Sequence, residues 1–187
     1  MGTVKSLLLG MCFVLGACTS QTSTVQTTEK GTQWEWQNGT IVVKTPERPA
    51  GQKSVLGLTT PKLEAVRVGF VGLGMRGPGA VERFTYIPGT QVVALCDYEE
   101  ARADKCQELL KKASMPKAAV YSGDKGYEEL CKRDDIDLVY IAADWLHHFP
   151  VAKCALENGK NVAIEVPSAM NLQECWDLIN LSESTRN

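Results

Sequence analysis

Short apolar stretches alternate with segments of helical periodicity along the last two-thirds of the chain. Five of these stretches are bounded by glycine, proline or polar residues and are mostly apolar, as expected for buried strands of a parallel sheet. The predicted strands are Val66–Val71, Gln91–Cys96, Ala118–Tyr121, Ile136–Ala143 and Asn161–Glu165. Because helical patterns separate them, the sequence predicts an α/β fold with a doubly wound parallel sheet.

The helical segments show apolar positions three and four residues apart. They are predicted after Gly77, over Glu99–Lys112, over Asp124–Lys132, from His148 to a stop at Gly159, and from Asn171 onward. Glu174 lies three residues after Asn171, which is a capping arrangement. The apolar positions are Ala103, Cys106 and Leu110 in the second helix, Val151, Ala152, Ala155 and Leu156 in the fourth, and Leu172, Cys175, Trp176 and Ile179 in the last.

The N-terminal residues 1–18 have the pattern of a secretory signal. Lys5 precedes the apolar run Leu7–Leu15, which is too short to span a bilayer. The sequence Leu15-Gly16-Ala17-Cys18 resembles a bacterial lipobox, which predicts lipidation of Cys18 and a membrane-anchored periplasmic or cell-surface lipoprotein. An ordinary signal peptide with an unrelated cysteine is the alternative.

Residues 19–62 are expected to connect this signal to a domain at 63–187. The first part, Thr19–Thr32, is rich in Thr, Ser and Gln, as in flexible tethers. Asn38-Gly39 lies between two β-favouring runs and predicts a hairpin. Pro, Gly, Lys and Thr then indicate an irregular arm.

Composition narrows the choice of function. Of 187 residues, 44% are hydrophobic and 22% charged, as in a soluble globular domain, and the net charge is −2 without a basic block. Nucleic acid is therefore not a predicted partner. Five of the seven cysteines lie beyond Cys18 without metal or redox spacing, so they are interpreted as small core residues. The only histidines, His147 and His148, are adjacent, so no metal site is predicted.

The first strand ends in the motif Gly72-x-Gly74-x-x-Gly77. In a dinucleotide site the first glycine makes the tight turn, the second allows the backbone to approach a pyrophosphate, and the third allows helix and strand to pack closely. The start of the following helix offers free N–H groups to the phosphates. A glycine-rich turn without a ligand is the alternative for this motif taken alone.

The second strand ends in Asp97, twenty residues after Gly77. A carboxylate at this position is expected to meet the adenosine ribose hydroxyls. Its charge would repel a 2′-phosphate, so the predicted cofactor is NAD rather than NADP.

From about Pro49 to Asn187 the sequence resembles the Gfo/Idh/MocA family of NAD(P)-dependent sugar enzymes. Within it the resemblance is to the NAD-dependent glycosidases of glycoside hydrolase family 109, the α-N-acetylgalactosaminidases. The motifs that support it are Gly72–Gly79, Cys96-Asp97, Trp145–His148 and Gly159–Pro167. Sugar dehydrogenases of the family usually have Glu-Lys-Pro in the last motif, where this chain has Glu165-Val166-Pro167.

The resemblance also implies which residues bind the cofactor. Met75 and Arg76 would contact the phosphates, and Asp97 the adenosine ribose. The nicotinamide side would be lined by Trp145, Leu146, His147, His148, Glu165 and Val166. His148 matches the family histidine, so His147 is expected to face elsewhere. The turn Ala143-Asp144 departs from the family's Thr-Pro, and the resemblance does not explain the Asp144 charge.

The activity implied is hydrolysis of terminal α-linked N-acetylgalactosamine by transient oxidation at C3, elimination and water addition. Because Val166 replaces the proton-transferring lysine, a dehydrogenase mechanism is the less favoured alternative. Two alternative functions stay open: a sugar oxidoreductase, and a non-catalytic NAD- or glycan-binding lipoprotein. Assembly into a homo-oligomer also stays open. The resemblance implies an N-terminal fragment that lacks a C-terminal α+β substrate domain and the catalytic residues beyond Asn187, so these residues alone are expected to be inactive.

Overall fold

The structure is a computed structural model that describes residues 26–27 and 33–187. The signal segment 1–18 and the lipidation site Cys18 lie outside the described residues, as does most of the tether. Among the described residues, no helix is both long enough and apolar enough to cross a bilayer.

Eight strands and five helices are present in the described part of the chain. In order they are β1 (Gln26–Thr27), β2 (Gln33–Gln37), β3 (Thr40–Val43), β4 (Val66–Val71), α1 (Gly77–Thr85), β5 (Thr90–Asp97), α2 (Glu100–Lys112), β6 (Ala119–Ser122), α3 (Gly126–Cys131), β7 (Leu138–Ile141), α4 (Trp145–Glu157), β8 (Asn161–Ile164) and α5 (Leu172–Thr185). The five predicted sheet strands are confirmed, with ends that differ by up to two residues.

The main sheet has the strand order β6-β5-β4-β7-β8, and every neighbouring pair is parallel. This confirms the doubly wound α/β fold. The chain leaves β4 in one direction for β5 and β6 and returns on the other side of β4 for β7 and β8. The strand order therefore reverses between β4 and β7, and the crevice at such a switch point is where open α/β sheets bind ligands.

Two apolar clusters lie on the opposite faces of this sheet. One joins Val68, Phe70 and Leu95 to buried residues of α1 and α2. The other joins Val139 and Ile141 to buried residues of α3 and α4. The inward positions predicted for α2 and α4 are confirmed, because Ala103, Cys106, Leu110, Val151, Ala152, Ala155 and Leu156 are all buried.

The hairpin predicted at Asn38-Gly39 is present as the antiparallel pair β2–β3. Both turn residues have positive φ, +50° at Asn38 and +79° at Gly39, as a two-residue hairpin turn requires. β1 adds a third antiparallel strand on the other edge of β2.

The irregular arm that follows β3 is attached to α5, at the other end of the described chain. Glu183 of α5 is buried and bonded to Arg48, and it also accepts from Gln52 Nε2 at 2.8 Å. Arg186 donates to the carbonyl oxygens of Lys53 and Ser54 at 2.8 and 3.0 Å. The arm is thus tied to α5, which packs on α4.

The predicted apolar stripe of α5 is correct in its spacing but is mostly open to solvent. Leu172, Cys175 and Ile179 are exposed and Trp176 is half-buried, whereas Leu178 packs against the apolar cluster that includes buried residues of α3 and α4. Glu183 is also buried, and its side-chain partners Arg48 and Gln52 lie in the arm.

A candidate cofactor cleft at the carboxyl ends of the strands

A cleft of about 1030 Å³ opens at the carboxyl ends of the parallel strands. It lies at the switch point between β4 and β7. All the residues predicted to contact NAD line it except Gly77; they are Gly72, Gly74, Met75, Arg76, Asp97, Trp145, Leu146, His147, His148, Glu165 and Val166. The fold therefore brings together residues that are up to 94 positions apart in the sequence.

Two glycines of the motif are required by the packing of the backbone itself. Gly72 has φ +92°, and a Cβ there would overlap the backbone of Ala142 and Ala143 at the end of β7. A Cβ on Gly77 would overlap the carbonyl oxygen of Gly72. Gly77 therefore lies beneath the cleft and allows the close approach of α1 to the end of β4.

Gly74 differs, because the nearest described atom to a Cβ there would be Arg102 Nη1 at 3.6 Å. Packing within the described residues does not require glycine at this position. A ligand that approaches the backbone closely is a physical reason for it, and this fits the approach expected for a pyrophosphate.

The start of α1 also fits a phosphate group. Within residues 33–187 no side chain caps this helix, its first turn contains no acid, and Pro78 lies near its start. Pro78 has no N–H and the Ala80 N–H donates to Arg76 O, so the N–H groups of Gly77 and Gly79 and the positive end of the helix dipole are the features that can bind an anion. Arg76, at the N-cap position, adds an exposed cation beside them.

Asp97 holds the glycine loop in place. Its Oδ2 accepts from the Leu73 backbone N–H at 2.6 Å, and its Oδ1 accepts from Glu99 N at 3.0 Å and from Arg102 Nη1 at 3.2 Å. The side chain is only 6% exposed. An ionised carboxylate has about four acceptor positions, so Asp97 can accept from a ribose hydroxyl while it keeps these partners.

α4 begins at Trp145, three residues before the predicted start at His148. Asp144 is its N-cap and accepts from Leu146 N at 3.0 Å, and its other oxygen lies 2.6 Å from His147 Nδ1. Burial acts to raise the pKa of Asp144, but the hydrogen bond and the charge attraction from His147 outweigh it and lower the pKa. The Asp144 charge that the resemblance did not explain therefore caps the helix and fixes His147.

The two histidines have different surroundings. His148 is 1% exposed, and its ring nitrogens lie 2.7 Å from Pro167 O and 2.9 Å from Ala143 O. It therefore ties together the turns that follow β7 and β8. His147 was expected to face elsewhere, but it lines the cleft with about half of its side chain exposed.

Glu165 and Val166 follow β8 at the same edge of the sheet. Glu165 Oε1 accepts from the hydroxyl of Tyr140 at 2.8 Å. Burial, followed by this hydrogen bond, raises the pKa of Tyr140, so its hydroxyl stays protonated and donates to Glu165. Val166 is 83% exposed, and the Val166–Pro167 peptide bond is cis.

Sequence reasoning missed several residues that line the cleft. Arg102 lies in the first turn of α2, where it pairs with Asp97 and with Glu99 Oε1 at 2.9 Å. Tyr127 lines the side near α3. The sequence could have indicated Arg102, because a cation in the first turn of the helix that follows a strand-end aspartate lies close to that carboxylate.

Cys96 also lines the cleft but is a poor nucleophile. Burial, and then the charge of Asp97, raises the pKa of its thiol to about 12. Cys96, Cys106 and Cys131 are buried, as predicted for small core residues, whereas Cys154 is half-buried and Cys175 is exposed.

Comparison with known proteins agrees with this geometry. The family model GFO_IDH_MocA, described as "Oxidoreductase family, NAD-binding Rossmann fold", matches residues 66–187. Glycosyl hydrolase family 109 protein 4 of Phocaeicola vulgatus is 79% identical over 187 residues, which are 100% of this chain and 36% of that protein. Glycosyl hydrolase family 109 protein 1 of Bacteroides thetaiotaomicron is 56% identical over 184 residues, 98% of this chain and 38% of that protein.

Among solved structures, the fold is similar to that of myo-inositol dehydrogenase from Lactobacillus casei in complex with NAD(H) and myo-inositol. The TM-score is 0.56 at 25% identity, over 64% of this chain and 34% of that one. The chain spans a little over a third of the length of the curated relatives above. The match over residues 66–187 includes the whole parallel sheet and the glycine loop, so the cofactor is NAD and the chain belongs to the Gfo/Idh/MocA family.

Proposed function

We propose that a protein carrying this chain is an NAD-dependent glycosidase that acts on terminal α-linked N-acetylgalactosamine. The observation that carries the proposal is the chemistry at the end of β8. Val166 lies exposed in the cleft where sugar dehydrogenases of the family are implied to have a lysine. Whole-chain similarity to proteins named glycosyl hydrolase family 109 supports the same conclusion.

NAD bound in the cleft would accept a hydride from sugar C3 and return it at the end of each cycle, as in the glycosidases that depart from the two-carboxylate mechanism. The contribution of this chain's own residues is to hold NAD and to orient it. Gly72 and Gly74 allow close backbone approach, and Arg76 with the α1 N-terminus would neutralise phosphate charge. Asp97 would accept from the ribose, and His148 fixes the two turns on the nicotinamide side.

The test uses this sequence in a protein of the relatives' length, with an aryl α-N-acetylgalactosaminide in deuterated water. Oxidation at C3 makes the C2 proton acidic, so the released sugar should carry deuterium at C2. Release of a sugar that retains its C2 proton would contradict the proposal.

A sugar oxidoreductase is the second candidate, favoured by the fold similarity to myo-inositol dehydrogenase. It predicts net accumulation of reduced cofactor with a free sugar, measured as absorbance at the nicotinamide band. The glycosidase predicts no net change, because the hydride returns to the sugar in every cycle.

Membrane tethering through Cys18 belongs to the same proposal. It would keep the enzyme at a periplasmic or cell-surface membrane, and it rests on the lipobox-like Leu15–Cys18 sequence. Native protein should fractionate with membranes, and Cys18→Ala should shift it to the soluble fraction. Equal fractionation of the two proteins would refute the tether.

A further inference from the structure

Asp144 and His147 form a carboxylate–imidazole pair on the first turn of α4. One carboxylate oxygen accepts from Leu146 N at 3.0 Å, so the carboxylate is fixed by its role as helix cap. The other lies 2.6 Å from His147 Nδ1. The pair is therefore held by the helix itself and needs no ligand to form.

The pairing decides which ring nitrogen can accept a proton. An ionised carboxylate only accepts hydrogen bonds, so Nδ1 carries the hydrogen and Nε2 of the neutral ring is an acceptor. Nε2 has no hydrogen-bond partner among the described residues. About half of the His147 side chain is exposed, and both members of the pair line the cleft with Glu165 and Val166.

His148 and Glu165 are the other titratable side chains on this side of the cleft, and each has a hydrogen-bond partner. His148 is buried with both ring nitrogens beside backbone carbonyl oxygens. Glu165 accepts from Tyr140 and, as a carboxylate, keeps further acceptor positions. Of the two histidines, His147 is therefore the one with an accessible nitrogen that can receive a proton.

We propose that His147, oriented by Asp144, is the proton acceptor for the sugar hydroxyl that is oxidised, a role that Val166 cannot fill. This rests on the proposed function. The O3–H bond breaks and its proton moves to Nε2, while the O–H electron pair forms the carbonyl and the C3 hydrogen leaves as a hydride to NAD. In the final reduction, both the proton and the hydride return to the sugar, so the pair and the cofactor are regenerated.

Asp144→Asn is the most direct variant, because asparagine is an equally good N-cap and the helix should be preserved. Its amide nitrogen can donate to Nδ1, which leaves the hydrogen on Nε2 and removes the acceptor, as in the wrong tautomer of a catalytic triad. Nitrogen-15 NMR of the 187-residue chain reads the tautomer without cofactor or substrate. We expect the Nδ1–H form in the native chain and the Nε2–H form in Asp144→Asn, and a native Nε2–H form would overturn the proposal.

The second readout is turnover of the aryl glycoside by protein of the relatives' length at saturating NAD. Asp144→Asn and His147→Gln should each lower kcat by about 10²- to 10⁴-fold, the usual contribution of a general base. NAD affinity is titrated separately, because His147 is also predicted to line the nicotinamide side. Glu157→Gln, a carboxylate change at the far end of α4, should leave kcat as in the native protein. Native turnover that survives both pair variants, or a loss explained by NAD affinity, would overturn the inference alone. Absence of turnover in the native protein would reject the proposed function, and the role of the pair with it.

Discussion

At Gly72 the chain leaves β4 with φ +92° and passes directly against the backbone of Ala142 and Ala143. Gly72→Ala should therefore combine the cost of a positive φ, about 1–2 kcal/mol, with an overlap that only backbone movement relieves. We expect a loss of more than about 3 kcal/mol in the free energy of unfolding, measured in urea. Gly159→Ala is the control, because Gly159 has φ +71° and no described atom within 4 Å of a Cβ. Equal losses in the two variants would show that the close approach at Gly72 has no energetic weight.

Asp97 is the residue that should set the choice of cofactor. Its carboxylate is close to the expected ribose position, so the native chain should bind NADP at least about tenfold more weakly than NAD, or ~1.4 kcal/mol. Asp97→Asn should narrow that ratio, because it removes the charge that repels a 2′-phosphate and leaves Arg102 without this partner. Fluorescence titration with both nucleotides measures it, with Asp124→Asn at the cleft edge as the control. An unchanged ratio in Asp97→Asn would contradict this role.

At the scale of elements, β4 and β7 are joined by their backbone hydrogen bonds and, at their amino ends, by an ion pair. Asp137 Oδ2 accepts from Arg67 N and Nε at 2.8 and 2.9 Å, and Oδ1 accepts from Arg67 Nη2 at 2.6 Å. The hydrogen bond from the Arg67 side chain is the main reason that the pKa of Asp137 is lowered. This ion pair holds the central strands at the edge opposite the cleft.

The lowered pKa fixes the sign of a pH effect on stability. A carboxyl group whose pKa is lower in the folded state stabilises the fold above its unfolded pKa of about 3.9, and this is lost as the pH falls through the folded pKa. Asp137→Asn should cost about 1–2 kcal/mol at pH 7, allowing for the partial exposure of Arg67, and the difference from native should disappear in acid. Asp135→Asn, whose partner Arg133 is two residues away, should cost less. A difference that persists unchanged at low pH would contradict the assignment.

The sequence predicts an element well where local features, such as an apolar run or a capping residue, determine its bounds. It predicts less well which side of an element is buried where contacts with distant residues determine the packing. The strands of the sheet follow from apolar runs, and Asn171 caps α5 by accepting from Glu174 N as predicted. α4 begins three residues before the predicted start, because Asp144 caps it. The apolar spacing of α5 was visible, but Leu178 packs inward, Ile179 is exposed, and the buried Glu183 pairs with Arg48, 135 residues away in the chain.

At the scale of the whole molecule, the contact between arm and α5 should be part of the domain's stability. Arg48→Ala would leave the buried Glu183 carboxylate with Gln52 as its remaining side-chain donor among the described residues. We expect a loss of about 1–3 kcal/mol, with faster hydrogen exchange concentrated in α5. Lys53→Ala, on the same arm, should have little effect because Lys53 takes part through its carbonyl oxygen. Unchanged exchange in α5 would show that the arm does not hold the helix.

Some residues of the cleft could be predicted from the sequence, whereas others depend on how the whole domain folds. Gly72 and Asp97 were predicted from the glycine motif and the acid at the end of the second strand, and Glu165 from the family resemblance and its place at a strand end. The Asp144–His147 pair was not, because adjacent histidines give no sign in the sequence of which one the fold buries. Only the position of the Ala143 and Pro167 carbonyls decides that His148 is engaged and His147 is accessible.

The most direct test of this account is calorimetric titration of NAD into the purified 187-residue chain. The glycine loop, the uncapped α1 N-terminus and Asp97 all lie within it, so we expect saturable one-site binding tighter than 1 mM, or about −4.1 kcal/mol. Gly74→Ala adds a Cβ whose nearest described atom is Arg102 Nη1 at 3.6 Å, so the chain should stay folded while the narrower approach to the loop backbone weakens NAD binding. A folded native chain that shows no binding heat at millimolar NAD would contradict the assignment of the cleft.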